Sequence, residues 1–244
     1  MTLMGSAGVQ AREIAFAHGR KRTLPPHTSV FVAGEAAESV YYVESGFVKI
    51  VSPTADGKEL ILTFVGRGAV FGEEALFGVR KREEFASIVE PAELWVLPSE
   101  RFRQYLENDA QFATQWCGWV AERWRRMERR LKHLMFLSHR DRVIHALLDL
   151  AEEFGEYRGA TVLLHPRLSH QELAAYVGAT RETVTSVLLE LRAAGLVVAA
   201  RRRLTLVAVD RLAALVGRAP PHIPQPSRAP FPGLRELAPS LPPH

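Results

Sequence analysis

From Thr28 to Leu97 the chain alternates short apolar runs with turn residues. Ser29–Val32, Val40–Val43, Phe47–Val51, Glu59–Phe64 and Ser87–Leu97 are rich in Val, Ile, Phe and Tyr, the composition of β-strands. Gly34, Ser45-Gly46, Asp56-Gly57, Gly66 and Gly68 separate them, and an Asp-Gly pair between apolar runs is a hairpin signal. Strands this short and regular predict a sandwich or an N-terminal jelly-roll β-barrel over residues 28–108, and a roll of this size encloses an apolar interior able to take a small ligand. Residues 1–27 form an extension, small in character and then basic at Arg20, Lys21 and Arg22, read as a loose start with room for one helix.

At Pro98-Ser99 the apolar period changes from that of a strand to that of a helix. Phe102, Tyr105 and Leu106 mark a short amphipathic piece ending at Asn108-Asp109. A long helix follows, from about Ala110 to Leu137, inside a segment 109–138. Along it Ala113, Trp116, Val120, Trp124 or Met127, Leu131 and Leu134 recur every three to four residues, a coiled-coil-like seam. Glu122, Arg125, Arg126, Arg129, Arg130 and Lys132 occupy the opposite face and read as a solvated charged surface. About 28 helical residues span roughly 42 Å, more than one small domain needs. The economical reading is a dimerisation helix, with Trp116, Val120, Trp124, Met127, Leu131 and Leu134 facing a second copy.

Residues 139–216 carry a second set of elements. His139–Phe154 is an amphipathic helix through Val143, Leu147, Leu150 and Phe154; Gly155 to Gly159 reads as a loop and Thr161–Leu164 as a strand. Two short helices follow. The first opens with Ser169 as N-cap and Glu172 three residues on, the capping-box spacing, and buries Leu173, Ala174 and Val177. Gly178 permits a sharp turn. The second opens with Thr180 as N-cap and buries Val184, Val187, Leu188 and Leu191, while Arg181, Glu182, Thr185 and Ser186 make a polar first turn and face. An ordinary helical hairpin would bury that end; a helix-turn-helix presents it to base edges in the DNA major groove. Leu196–Ala200 and Leu204–Val209 then alternate as two strands around Arg201, Arg202 and Arg203, a wing suited to the phosphate backbone. Residues 217–244 are proline-rich and are expected to stay disordered rather than pack a core. The predicted class is α+β: jelly roll, long dimerisation helix, winged helix-turn-helix.

Composition narrows the function. Of 31 basic residues 26 are arginine, and the sequence pI is near 9.4. The planar arginine fork suits phosphate and guanine. The single cysteine, Cys117, excludes an internal disulfide and cannot alone hold zinc or an iron–sulfur cluster; on an apolar stripe it reads as packing rather than as a thiol switch. No window approaches 18 uninterrupted apolar residues, so a soluble, cytoplasmic, bacterial-type protein with no membrane partner is expected.

Three segments carry a resemblance: Gly66-x-Gly68-x-x-Phe71-Gly72-Glu73, the Phe136–Val143 turn FLSHRDRV, and the Gly178–Val184 run GATRETV. With the order of elements they make residues 25 to 210 resemble the cyclic-AMP receptor protein/FNR family of bacterial transcription regulators. Residues 139–209 resemble most the branch that includes the cyanobacterial nitrogen regulator NtcA. The resemblance implies a homodimer on a palindromic double-stranded DNA operator, working with RNA polymerase. Arg181 and Glu182 match base-reading positions, and Gln171, Thr180 and Thr183 match phosphate-gripping ones. Ser169, His170 and Thr185 complete the expected DNA-facing set. Ser186 stands where many relatives place a second guanine-reading arginine, so one pair of the familiar T-G-T-G-A half-site should be read less strictly. Arg202 matches a basic wing position, whereas Arg201 replaces a usual turn glycine.

The sensor departs from the family pattern. In cyclic-nucleotide binders Gly72 and Glu73 are followed by an Arg-Ser pair that holds the phosphate; aligned on Ala86, this chain has Glu84 and Phe85. The long-helix Thr-Ser pair that meets the purine aligns with Met127 and Glu128. With a carboxylate where a cation belongs, cyclic AMP is not expected to be the effector, and Gly72-Glu73 reads as a structural turn with a capping carboxylate. No effector is identified, and no cofactor or metal is expected. His27, the one histidine between Gly19 and Lys132, sits at the roll's edge, a poor haem ligand. Two alternatives stand beside a sensor: a ligand-independent DNA binder using the roll as a dimer scaffold, and, remotely, a metal-dependent enzyme built on His139, Asp141, His145 and Asp149.

Overall fold

The computed structural model describes residues 4–53, 59–200 and 202–223. A helix α1 (Met4–His18) opens the chain. It is followed by β1 (Arg20–Leu24), β2 (Ser29–Phe31), β3 (Ser39–Pro53), β4 (Glu59–Val65), β5 (Val70–Phe71), a 3-10 turn at Glu73–Phe77, and β6 (Phe85–Pro98). These strands form one antiparallel sheet in the order β1-β6-β3-β4, with β2 added to β6 and β5 to β3. Its inner face buries Val43, Val48, Phe71, Ile88 and Leu94.

Two expected strands are one. Val40–Val43 and Phe47–Val51 both belong to β3, and Ser45-Gly46 is an irregularity in its pairing with β6 instead of a turn. Gly46 has φ +82°, and a Cβ there would lie 2.2 Å from the Pro91 carbonyl oxygen, so the close crossing of β3 and β6 needs glycine. The basic segment at 20–22, expected to be loose, is β1, paired along β6 from Arg20 with Val96 to Leu24 with Ala92. The Asp56-Gly57 turn lies outside the described residues.

Helices α2 (Ser99–Asn108) and α3 (Ala110–Phe136) follow, then α4 (His139–Phe154), β7 (Glu156–Arg158), β8 (Thr161–Leu163), α5 (His170–Val177), α6 (Arg181–Ala193), β9 (Val197–Ala200), β10 (Arg203–Leu206) and α7 (Val209–Ala214). Asp109 caps α3 by accepting from the Phe112 N–H at 2.9 Å. The Gly155–Gly159 loop is mostly strand, since β7 pairs with β8. The second wing strand stops at Leu206, and α7 occupies its expected end. Residues 217–223 are packed rather than loose: Arg218 pairs with Asp149 and Glu152, each at 2.6 Å, and Ile223 is 3% exposed. The tail from Pro224 lies outside the described residues.

The long helix is less free than its periodicity implied. Trp116 is 4% exposed, packed on Phe102, Phe112 and Trp119 in a core shared with α1 and α2, so it is not available to a second copy. Below it Val120, Trp124, Met127 and Leu131 are exposed, Trp124 by 70%, and Leu134 is half-buried beside Gly178. The charged face is also only partly solvated. Arg123 pairs with Glu73, and Arg126 with Glu153, both at 2.5 Å. Arg130 donates to the carbonyls of Ile61 and Leu62 on β4 and of Tyr176 on α5, with its guanidinium 4.1 Å from the Tyr176 ring centre. One arginine of the long helix thus ties the roll to the first helix of the helix-turn-helix. Phe64 packs on Tyr176, and the core of the C-terminal half runs on into Ile61 and Phe64. Burial in this joint, partly opposed by Arg130, pushes the Tyr176 hydroxyl up to about 12.

The turn from α3 to α4 packs His133 against His145, with ring centres 4.2 Å apart and ring planes tilted by 32°. Burial lowers the pKa of both from the ordinary 6.5, and for His133 the neighbouring His145 adds to it. Both are therefore neutral in the folded chain where the unfolded chain would bind protons. Their contribution to stability is complete above 6.5 and is lost as pH falls below it. Thermal melts should show a falling midpoint between about pH 7 and about pH 5.5, and the slope should flatten in a His133→Gln, His145→Gln double variant. An equal slope in that variant would assign the acid sensitivity to other groups.

Candidate nucleic-acid interface

The helix-turn-helix is built by its caps. Ser169 accepts from the Glu172 N–H at 3.2 Å, and Glu172 accepts from the Ser169 N–H at 2.9 Å and hydroxyl at 2.7 Å, the complete capping box. Burial alone would raise the Glu172 pKa. The Ser169 bonds, with Lys49 and Arg202 nearby, outweigh that and hold it below the usual value. Gly178 takes φ +62°, the left-handed conformation that ends α5 and frees the chain to turn. Thr180 then caps α6 by accepting from the Thr183 N–H at 3.2 Å, and its hydroxyl lies 2.9 Å from that of Thr183.

The inward residues of α6 are those its spacing indicated: Val184, Val187, Leu188 and Leu191 are buried. Arg181, Glu182 and Ser186 are exposed on the other face, Thr183 and Thr185 half-buried. Among the described residues neither Arg181 nor Glu182 has an ion pair, so both side chains are uncommitted. Gln171 and Thr180 are exposed, Ser169 and His170 half-buried.

The wing differs from expectation in one respect. Arg202 sits at φ +65° in the β9–β10 turn, a conformation a non-glycine residue adopts at a cost, and its Nη2 lies 3.2 Å from Glu172. The arginine read as a phosphate grip is thus tied to the capping carboxylate of α5. Arg203 is exposed and makes no ion pair among the described residues. Arg201 lies outside the described residues. Between wing and helices is an open cleft of about 380 Å³, lined by Ser169, His170 and Gln171, by Arg181, Thr185 and Arg192, and by Arg202 and Arg203. Arg192 was not singled out from the sequence. Its signal is legible there: eleven residues from Arg181 is about three helical turns, which returns to the same face.

The other expected constellations are dispersed. Gly72, Glu73 and Glu84 share one end of the roll, where burial, then Glu74 and Glu83, raise the Glu84 pKa. Glu73 is not a capping carboxylate, since no side chain caps the 3-10 turn; it pairs with Arg123 instead. Phe85 lies at the start of β6 opposite Val51, packed toward the C-terminal core. Met127 and Glu128 are exposed on α3, and Glu128 bonds Lys132 at 2.8 Å. What fills the roll near Gly72 is Arg82, 2% exposed. It donates to the Gly72 carbonyl at 3.0 Å, to Glu74 and to the Ser39 carbonyl, and stacks 4.4 Å over Phe31. Of the four residues weighed as metal ligands, His139, Asp141, His145 and Asp149, the last three have other partners. Asp141 takes part in capping α4 with Ser138, Asp149 pairs with Arg218, His145 packs against His133, and no group of three or more such residues comes together among the described residues.

Two family models match this chain: a cyclic nucleotide-binding domain over residues 21–109 and a Crp-like helix-turn-helix domain over 141–215. The chain is 35% identical over 191 residues to the CRP-like protein Clp of Xanthomonas euvesicatoria, covering 74% of this chain and 80% of that one. It belongs to the CRP/FNR family of transcription regulators. A CRP-like cAMP-activated global transcriptional regulator of Mycobacterium tuberculosis is 32% identical over 67% of this chain and 73% of its own. Among solved structures, the c-di-GMP responsive global regulator CLP of Xanthomonas campestris aligns with TM-score 0.69 and 32% identity, over 81% of this chain and 98% of that one. CRP/FNR members are DNA-binding regulators that act as dimers, not enzymes. No helix among the described residues is long and apolar enough to cross a membrane. The likeness of residues 139–209 to the NtcA-like branch remains an expectation.

Proposed function

We propose that this CRP/FNR protein is a cytoplasmic homodimer that binds a palindromic operator and acts with RNA polymerase, and that cyclic AMP does not control it. The observation carrying the DNA reading is the pair Arg181 and Glu182, uncommitted in the first turn of a capped helix whose opposite face is buried. Arg181 can fork onto guanine O6 and N7, and Glu182 can accept from a cytosine amine. Residues 28–108 act as the effector or scaffold unit, 109–138 as the dimer helix and 139–216 as the DNA-binding unit. Selection of random DNA by the purified protein tests this reading, which predicts an inverted repeat with half-sites about one helical turn apart.

Relatives differ in what they sense, one being cAMP-activated and another c-di-GMP responsive. In this chain Glu84 and Phe85 replace the phosphate-holding pair. Titration calorimetry with cyclic AMP and cyclic GMP should show no site tighter than about millimolar, since Glu84 repels the phosphate and the guanidinium beside Gly72, that of Arg82, is already held by Glu74. A micromolar site coupled to DNA affinity would overturn this. Arg82 favours one second reading: its guanidinium is held by Glu74 and two carbonyls where a ligand anion would otherwise need it, as in a ligand-independent binder. Tight operator binding by the protein without added ligand is the outcome that reading requires.

A further inference from the structure

We infer that Thr185 reads the 5-methyl group of a thymine with its own methyl group, and that His170 is the positioning residue that makes it do so. The inference rests on the reading that α6 lies in the major groove. Thr185 Oγ1 is 2.8 Å from the Arg181 carbonyl oxygen, which can only accept, so the hydroxyl gives its single hydrogen there. His170 Nδ1 is also 2.8 Å from Thr185 Oγ1. With the hydroxyl hydrogen already used, Nδ1 must carry a proton and donate it. The histidine, first residue of α5, therefore holds the hydroxyl from one side while the α6 backbone holds it from the other. Thr185 has no donor left for a base. His170 also takes one of the two oxygen lone pairs, so the methyl is the group on Cβ that makes no bond within the protein, and Thr185 lines the cleft.

The position suits that task. Thr185 stands four residues after Arg181 and three after Glu182, so it shares their face of the helix one turn further along. In the major groove the thymine methyl is the one apolar mark on a base edge, and a threonine methyl is a complementary contact. A serine here would offer no such contact. A threonine whose hydroxyl were free would choose between adenine and thymine by hydrogen bonding instead. The Arg181 carbonyl takes the donor, and the His170 bond fixes the hydroxyl in that orientation and takes one of its lone pairs.

The experiment uses the full-length dimer and the operator obtained by selection. Each thymine is replaced by deoxyuridine in both half-sites together, which deletes the methyl and leaves every hydrogen-bonding group in place. Affinity is measured at fixed salt. One thymine position should lose about fourfold per half-site, about fifteenfold for the pair, the effect of one methyl group returned to water. Thr185→Ser should bring the thymine-to-uracil ratio at that position to about one, and Thr185→Val should keep it. His170→Leu should also lower the ratio while leaving the preference opposite Arg181 unchanged; His170→Asn, which places an N–H near that of Nδ1, should restore it. A packing role for His170 would not separate these two variants. The wild-type measurement stands alone if a variant fails to fold. No uracil-sensitive position, or a sensitivity that survives Thr185→Ser, overturns the inference. Failure of the major-groove reading looks different: Arg181→Ala would then leave the selected motif intact.

Discussion

Val120→Glu leaves the protein monomeric in sedimentation and lowers operator affinity on the order of 10³-fold, the difference between specific and near non-specific binding. The reasoning starts from what α3 leaves uncovered. Trp116 and Trp119 are used inside the chain, packed with α1 and α2. Below them Val120, Trp124, Met127 and Leu131 are all exposed, at spacings of four, three and four residues. That is the spacing expected of a two-stranded seam, and an apolar strip of this kind favours cover by another helix. Across a two-fold axis a residue in the seam meets its own symmetry mate or a close neighbour, so one substitution introduces two charges into the same apolar strip. The cost of burying an unpaired charge is roughly 3–5 kcal/mol. Val120 is already partly open to solvent in one chain, so the monomer fold tolerates the change, and Trp124→Glu gives an independent check at a position still more exposed. A dimer that persists unchanged in both variants places the contact between copies elsewhere.

What could be read from the chain, and what could not, follows the range of the physics involved. The ends of α5 and α6 were legible because they are set by neighbours in sequence: Ser169 with Glu172, Gly178 at the turn, Thr180 with Thr183. The buried set Val184, Val187, Leu188 and Leu191 follows from the helical period alone. Strand β1 was not legible, since Arg20, Lys21 and Arg22 carry no apolar alternation and the strand exists by pairing with β6. Periodicity found the stripe on α3 but not what covers each part of it, so Trp116 was assigned to a second copy when α2 already covers it. Arg82 and Arg130 look in sequence like members of basic runs. Their roles depend on carbonyls more than forty residues away, Ser39 for one and Ile61 and Leu62 for the other. The same is true of the wing. Arg202 was recognisable as basic, but its bond to Glu172 joins positions thirty residues apart.

Arg181→Ala removes base reading at one position of each half-site, whereas Arg203→Ala weakens binding to every sequence alike. Arg181 lies in the first turn of α6, exposed and without an ion pair among the described residues, so nothing in the protein must be broken for it to reach guanine. Its loss should cost about 1–3 kcal/mol per half-site and flatten the preference at that one pair. The pair opposite Ser186 should already be weakly read in the wild type, because a short hydroxyl side chain replaces the reach of an arginine. Arg203 lines the same cleft from β10, and as part of the wing it is expected to meet phosphate rather than a base edge. A phosphate contact releases counterions without reading sequence, so the slope of log affinity against log salt should fall by about one per half-site. Arg202→Ala should have the smaller effect of the two wing variants, since its guanidinium must first be shared with or released from Glu172. Random-site selection and salt titration with the three variants separate these roles. If Arg203→Ala altered the selected motif while Arg181→Ala preserved it, the wing would be the base reader and α6 would be the part that grips the backbone.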